Sequence, residues 1–245
     1  IILMRSTPVP KFVTEGLERM GIQMSELQLA TLSGYVDTLL QANRHFNLTS
    51  IRNIDEVWRV HIFDSLTVLP RIGALNQDDT LIDVGSGGGL PGIPLAIARP
   101  DLHIALLEAT RTKAKFLERC VGELALGNVV VVNDRAETVG QDIGFREQYD
   151  TSVCRAVGSM PVLLEFSLPL VRTGGIVLAM KGPTVDGDLE VAAQALDVLG
   201  GGEVHKFQAY PQNFGRHTVI VSVRKIHSTP MRYPRRPGVP RRSPL

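Results

Sequence analysis

The spacing of apolar residues changes character near residue 80 of this 245-residue chain. Before that point, apolar side chains recur at helical spacing in two runs: Leu29, Leu32, Val36, Leu39, Leu40 and then Ile54, Trp58, Ile62, Leu66, Leu69. Such spacing places them on one face of a helix, so two helices are predicted, the second ending at Pro70. The polar stretch 43–50 connects them. We therefore expect residues 1–75 to form a helical segment that packs on the core of the protein.

After residue 80, short apolar runs alternate with helix-like segments. The candidate strands are Thr80–Val84, His103–Glu108, Asn128–Val132, Asp150–Arg155 and Gly175–Lys181, and the candidate helices are Arg111–Ala125, Met160–Leu170 and Asp186–Leu199. Strands that alternate with helices predict a parallel sheet with right-handed crossovers.

The last two strand-like runs, Glu203–Tyr210 and Arg216–Lys225, are separated by a short connection of five residues. Such a connection joins only antiparallel neighbours. The whole pattern predicts an α/β fold, a Rossmann-like, mostly parallel seven-stranded sheet with a C-terminal antiparallel hairpin and an N-terminal helical extension. This arrangement resembles that of class I S-adenosylmethionine-dependent methyltransferases, with residues 76–226 as the core.

Composition is that of an ordinary globular protein, with 44% hydrophobic and 21% charged residues. No apolar run approaches the roughly 18 residues of a membrane span, so we expect a cytoplasmic protein without membrane contact. The two cysteines, Cys120 and Cys154, are too few for a disulfide scaffold. The histidines include no metal-site spacing, so no metal is expected.

Positive charge is concentrated at the C-terminal end. Residues 227–245 contain five arginines and no acid, whereas residues 1–226 carry 21 basic against 25 acidic side chains. The many prolines of this tail disfavour a helix or a central strand and predict an extended chain. Such a tail is either a solvated end or an arm that lies along phosphates, since arginines pair well with them.

The most informative motif is the glycine-rich turn 85–92, which follows the first candidate strand and precedes a helix. Glycines let a nucleotide-like ligand approach bare backbone at a strand end. Gly87–Gly92 also fits the string G-x-G-x-x-G of dinucleotide sites, so a nicotinamide dinucleotide competes as cofactor. Asp83 before the turn, Pro91 and Pro94 within the next helix and the closing hairpin favour S-adenosylmethionine.

Two acidic positions are suited to a nucleoside. Glu108 ends the second candidate strand, where a carboxylate accepts hydrogen bonds from ribose hydroxyls, although it could equally cap the next helix. Asn133–Glu137 follows the third strand and could hold adenine or form a solvated loop. Neither position distinguishes the two cofactors.

Motifs spread along the chain are similar to those of one family. They are Asn47–Thr49, His61–Leu66, Asp83–Leu95, Arg135–Glu137, Ser152–Ala156, Ala179–Gly182 and Tyr233–Pro240. In this order they resemble the glucose-inhibited division protein B family over nearly the whole chain. That family comprises bacterial methyltransferases acting on guanine N7 of 16S ribosomal RNA. The resemblance implies S-adenosylmethionine as cofactor and small-subunit ribosomal RNA or the 30S subunit as partner; we also expect a monomer.

The resemblance also implies roles for individual residues. The cofactor set consists of Asp83, Gly85, Ser86, Gly87 and Leu90 around the turn, Glu108, Ala109 and Thr110 at the ribose, Ala136 and Glu137 at the adenine, and Arg155. The RNA-binding set is His61, Asp64, Arg155, Lys181, Arg235 and Arg236. Gly88 and Glu108 depart from residues common in relatives, but both substitutions keep the chemistry.

Guanine N7 carries a free lone pair on the major-groove edge and can attack a methyl group directly. No proton has to be removed, so in-line transfer without a general base is predicted. Arg155 and Lys181, each ending a strand, are the candidate catalytic residues, and they would orient the guanine or a phosphate. Two alternatives remain: a ribosome assembly factor without turnover, suggested by the basic tail, and an NAD-dependent oxidoreductase, suggested by the glycine string.

Overall fold

The centre of the protein is a seven-stranded sheet, seen in a computed structural model that describes residues 7–211 and 217–245. The strands are β1 (Thr80–Val84), β2 (His103–Leu107), β3 (Val129–Val132), β4 (Tyr149–Arg155), β5 (Val171–Lys181), β6 (Gly201–Gln208) and β7 (Val219–Lys225). They lie in the order β3-β2-β1-β4-β5-β7-β6. β1 to β5 are parallel, and β7 is antiparallel to both β5 and β6. The predicted α/β fold with its C-terminal hairpin is therefore confirmed, although Arg216 of the last predicted strand lies outside the described residues.

Helices cover both faces of this sheet. They are α1 (Lys11–Arg19), α2 (Glu26–Asn43), α3 (Ile54–Glu56), α4 (Asp64–Leu66), α5 (Leu69–Ile72), α6 (Gly92–Ala98), α7 (Arg111–Glu123), α8 (Ala136–Val139), α9 (Met160–Ser167), α10 (Val185–Glu190), α11 (Ala193–Leu199) and α12 (Val239–Arg242). The predicted helix Asp186–Leu199 is thus two helices, α10 and α11.

Two apolar cores follow from the alternation of side chains along the strands. Leu81 of β1 belongs to the core that contains the N-terminal helices, α6 and α7, whereas its neighbour Ile82 belongs to the core that contains α9 and α11. Leu32, Leu39 and Trp58 of the predicted helical extension are fully buried in the first core. The N-terminal segment therefore shares one face of the sheet with α6 and α7.

The second predicted helix of the extension is less regular than its apolar spacing indicates. A π-helix, Val57–Phe63, lies between α3 and α4. The predicted end at Pro70 is wrong, because the chain leaves the helix after Leu66, where the Thr67 hydroxyl donates to the Asp64 carbonyl at 2.6 Å. Pro70 instead lies in the first turn of α5, where its missing amide is not needed.

The prediction of an extended C-terminal tail is also wrong. Residues 229–245 fold back onto α8 and α9 and include α12, and Tyr233 is buried. The guanidinium of Arg146 donates to the carbonyls of Thr229 at 2.6 Å and Tyr233 at 2.8 Å. These bonds satisfy backbone groups that a proline-rich segment cannot pair in a helix or sheet. Within the described ranges, no helix is long and apolar enough to cross a bilayer.

Candidate functional site

A cavity of about 360 Å³ opens at the carboxyl ends of β1 and β2, where open α/β sheets bind ligands. Its wall includes Gly85 and Gly87 of the glycine-rich turn, residues 108–110 after β2, and Ala136 and Glu137 of α8. The structure thus brings together seven of the predicted cofactor residues. We name this 360 Å³ cavity the cofactor cavity.

The glycine-rich turn has a backbone that only glycine adopts without strain. Gly85, Gly87 and Gly89 have φ angles of +76°, +58° and +96°. The amides of Gly85 and Ser86 donate to the Leu107 carbonyl at 2.8 and 3.0 Å, which ties the turn to β2. The turn therefore presents backbone without side chains to the cavity.

Asp83 of β1 supports the glycine-rich turn. One carboxylate oxygen accepts from the Gly92 amide at 2.9 Å, and the other has no hydrogen-bond partner among the described residues. Complete burial raises the pKa of Asp83 to about 7. Ser86 is buried beside it and donates to the Asp83 carbonyl at 3.0 Å. Asp83, Ser86 and Leu90 lie outside the cavity wall, so they shape the turn without lining the cavity.

The N-terminal extension also supports the turn. The Tyr35 hydroxyl of α2 donates to the Gly88 carbonyl at 2.6 Å. Burial raises the pKa of Tyr35 well above its usual value, so this hydroxyl stays a donor. The extension is therefore part of the site's scaffold.

Three carboxylates lie in the cavity wall, those of Glu108, Asp134 and Glu137. Glu108 accepts from the amides of Gly87 at 2.9 Å and Thr110 at 2.7 Å, and so joins the turn to the start of α7. Glu137 accepts from the Gly238 amide at 2.8 Å. Carboxylate oxygens of this kind accept hydrogen bonds from hydroxyl and amino groups of a ligand.

The C-terminal tail completes the cofactor cavity. This contribution of the tail was not predicted from the sequence. Arg241 of α12 lies in the wall, with its guanidinium carbon 5.8 Å from the Phe166 ring centre. Nearby, Arg235 forms an ion pair with the fully buried Glu165 at 2.6 Å. Glu165 is the residue from which the folded tail could have been predicted. A carboxylate inside the apolar helix α9 requires a charged partner. Arg235 was predicted to bind RNA, but its guanidinium is occupied by Glu165.

A second cavity, of about 420 Å³, lies beside the first and shares Ala156 with it. It contains His61, Asp64, Arg155 and Lys181, four residues predicted to bind RNA. His217 and Thr218 also line it, and no sequence pattern indicated them. We name it the acceptor pocket.

Asp64 is the centre of the acceptor pocket's polar network. Its carboxylate accepts from Arg155 at 3.1 Å, Tyr210 at 2.7 Å and Thr218 at 2.9 Å. Arg155 also donates to the Val60 carbonyl at 2.9 Å. The network joins the extension, the end of β4 and the hairpin in one site.

His61 is held at both ring nitrogens. Nδ1 lies 3.2 Å from the Arg155 guanidinium, and Nε2 lies 2.7 Å from the Thr49 hydroxyl. Because a guanidinium can only donate, Nδ1 accepts and the proton of a neutral ring belongs on Nε2.

Lys181 is paired as well. Its ammonium lies 2.6 Å from the Asp188 carboxylate and donates to the Gly158 carbonyl at 2.8 Å. Both catalytic candidates, Arg155 and Lys181, therefore reach the pocket with their charges compensated. Arg236 is exposed on the surface outside both cavities.

The cofactor cavity fits S-adenosylmethionine. The bare glycine backbone lets a ligand approach closely. The carboxylates of Glu108 and Glu137 can accept hydrogen bonds from its hydroxyl and amino groups. No cluster of three or more potential metal ligands occurs in the described part of the chain. The fold is similar to that of an S-adenosylmethionine-dependent O-methyltransferase from Thermotoga maritima, with 13% identity, a TM-score of 0.53 and coverage of 77% of this chain and 71% of that one. Fold and cavity define a Rossmann-like α/β protein with a nucleoside-cofactor site at the carboxyl ends of β1 and β2.

Sequence comparison identifies the family. A relative from Leuconostoc citreum named ribosomal RNA small subunit methyltransferase G is 41% identical over 92% of this chain and 94% of its own. Another of the same name, from Moorella thermoacetica, is 38% identical over 92% and 93%. The family model described as rRNA small subunit methyltransferase G (GidB) matches residues 28–217. The chain belongs to this family. Its cofactor is therefore S-adenosylmethionine, and the NAD alternative is excluded.

Proposed function

We propose that this protein transfers the methyl group of S-adenosylmethionine to N7 of a guanine in 16S ribosomal RNA of the small subunit. The names of its relatives support ribosomal RNA as the substrate class. The observation that carries the proposal is the acceptor pocket, which adjoins the cofactor cavity at Ala156 and in which the one carboxylate among the described lining residues, Asp64, is already engaged.

The absence of a free carboxylate among the described residues of the pocket agrees with N7 chemistry. Among the described residues of the pocket, Asp64 is the only carboxylate, and it is bound to Arg155, Tyr210 and Thr218. His61 has both ring nitrogens engaged. An exocyclic amine or a hydroxyl has to lose a proton during methylation, whereas N7 has a lone pair ready. When bound, the cofactor supplies an electrophilic methyl group on a sulfonium.

The chain's own contribution is positioning, which can lower a barrier by ~7–11 kcal/mol when reacting atoms are held in line. Arg155 is the proposed residue for orienting the guanine or a neighbouring phosphate, because Asp64, His61 and the Val60 carbonyl fix its guanidinium. Lys181 is proposed to act in the same way from β5.

The alternative of an assembly factor without turnover was based on an extended basic tail. That tail is folded on the core and contributes Arg241 to the cofactor cavity, so its main support is lost. We propose instead a monomeric enzyme of the cytoplasm.

The proposal is tested with purified protein, methyl-labelled S-adenosylmethionine, and 16S RNA supplied both naked and in 30S subunits. We expect label at one guanine N7, located by chemical cleavage specific for 7-methylguanine. Gly85→Asp, which places a charged side chain at a φ of +76° in the cavity wall, should abolish labelling. Label in no RNA, or on an exocyclic amine, would contradict the proposal.

A further inference from the structure

Three of the four arginine and lysine side chains first assigned to RNA are neutralised by carboxylates of the protein. Arg155 pairs with Asp64, Lys181 with Asp188 and Arg235 with Glu165. A cation already compensated by a carboxylate attracts phosphate weakly. Arg236 is the exposed exception, so most of the charge that holds an RNA backbone is expected on another part of the surface.

One surface groups five positive charges beside an exposed aromatic ring. It consists of Arg44 and Arg52, which flank the connection after α2, and Arg111, Lys115 and Arg119 on α7, together with Phe46; we name these residues the basic strip. All five cationic side chains are exposed. Within the described residues, the only carboxylate within 4.0 Å of any of them is Glu123, at 3.6 Å from Arg119.

The strip contains two concave regions. Phe46, Arg111, Lys115 and Arg119 line a cavity of about 580 Å³, and Arg44 and Arg52 line another of about 230 Å³. Arg111, Lys115 and Arg119 are four residues apart, so they project from one side of α7 at intervals of about 6 Å. Their row is suited to successive phosphates of one strand.

Phe46 adds an apolar contact to this row. Its ring is 46% exposed, which is unusual for phenylalanine beside three cations. Proteins that bind single-stranded RNA combine a positive groove with exposed aromatic rings on which bases stack.

The strip is also connected to the site. Thr49, three residues after Phe46, contacts His61 at 2.7 Å, and His61 contacts Arg155 in the acceptor pocket. At the other end, Arg111 directly follows Thr110 of the cofactor cavity wall. The strip therefore borders a segment that contacts His61 of the acceptor pocket and, at its other end, the wall of the cofactor cavity.

We propose that the basic strip binds the phosphates of the substrate RNA beside the target guanine, with Phe46 stacking on an unpaired base. This inference rests on the proposed function, because it takes the substrate to be ribosomal RNA. It adds the residues that hold the strand.

The test compares two double variants that each remove two positive charges. Arg111→Gln with Lys115→Gln changes the strip; Lys206→Gln with Arg224→Gln changes exposed residues of β6 and β7, at the opposite edge of the sheet. Binding to naked 16S RNA is measured from low to high salt. The strip variant should bind about tenfold more weakly at moderate salt, with the slope of log affinity against log salt reduced by about 1.5, while the control stays close to wild type.

Phe46→Ala should weaken RNA binding about tenfold with an unchanged salt slope, and Phe46→Tyr should retain the affinity. All variants should bind S-adenosylhomocysteine as wild type does, by calorimetry.

Each outcome decides one claim. Equal losses of RNA affinity in the strip and control variants would contradict the proposal that the strip binds RNA. An unchanged RNA affinity of the strip variant would contradict it as well. If the strip variant bound 30S subunits more weakly but naked RNA as tightly as wild type does, the surface would contact a ribosomal protein. That result would also contradict the proposal. If wild-type protein bound RNA through the strip but methylated no RNA, the proposed function would be contradicted. The role of the strip in RNA binding would still hold.

Discussion

The cofactor cavity and the acceptor pocket share Ala156 but are assembled in different ways. Much of the cofactor cavity wall comes from residues 84–110, a short contiguous stretch around β1 and β2. The acceptor pocket instead joins residues far apart in sequence, such as Asp64 and Thr218, which are 154 positions apart. Cofactor binding is therefore encoded locally, whereas acceptor recognition depends on the whole tertiary structure.

The two regions also differ in how their charges are satisfied. Carboxylates of the cofactor cavity accept from backbone amides, as Glu108 does from Gly87 and Thr110. In the acceptor pocket, Asp64 binds three side chains from other parts of the chain. Changes in the pocket should therefore separate acceptor chemistry from cofactor binding.

The largest effect is expected from Asp64→Ala. It leaves the Arg155 guanidinium, 16% exposed, without its counter-ion, and removal of one partner from such a pair costs about 3–5 kcal/mol. We expect a loss of that size in the free energy of unfolding, measured with urea, and loss of RNA methylation. Affinity for S-adenosylhomocysteine should change less than threefold.

Asp186→Ala is the matched control, because its pair with Lys206 is exposed and should contribute little. If Asp64→Ala abolished cofactor binding in protein that is still folded, the two regions would not be separable as described.

A smaller effect is expected on the cofactor side, from Gly92→Ala. A Cβ there would lie 2.3 Å from Leu106 Cδ2 and 2.7 Å from an Asp83 carboxylate oxygen. Overpacking of this kind costs about 1–3 kcal/mol, and we expect cofactor affinity to fall at least tenfold. Gly122→Ala, on exposed α7 with nothing within 4 Å, should stabilise the protein by up to about 1 kcal/mol. Equal behaviour of the two variants in calorimetry and thermal unfolding would refute this account.

The smallest effect concerns pH. Burial raises the pKa of Asp83 from 3.8 to about 7. Between these values the folded protein holds a proton that the unfolded chain has lost, so this group makes stability fall as pH rises. Relative to wild type, Asp83→Asn should therefore gain about 1 kcal/mol of unfolding free energy per pH unit from pH 5 to 7. Parallel stability curves over this range would show that Asp83 titrates normally.

The same contrast explains what the sequence could predict. β1 was predicted at its observed bounds, because a buried strand followed by glycines is a local pattern. The apolar spacing of the extension predicted a helix but not the π-helix Val57–Phe63, since side chains four apart share a face in either form.

The position of the tail could not be predicted for a different reason. Proline content excludes regular structure but does not say which surface the segment covers. That depends on Glu165 and Arg146, which lie 70 and 87 residues before their partners Arg235 and Tyr233. Likewise, the pairing of Arg155 with Asp64 required the fold, although each residue had been selected separately.

The contact between Glu137 and the Gly238 amide has a consequence for the order of synthesis. The two residues are 101 positions apart, and a ribosome makes Glu137 first. A chain that has not yet reached residue 238 lacks the Gly238 amide that anchors the Glu137 carboxylate, and Arg241 is missing from the cavity wall. The cofactor cavity is thus completed only late in translation, so an unfinished chain does not carry the finished site.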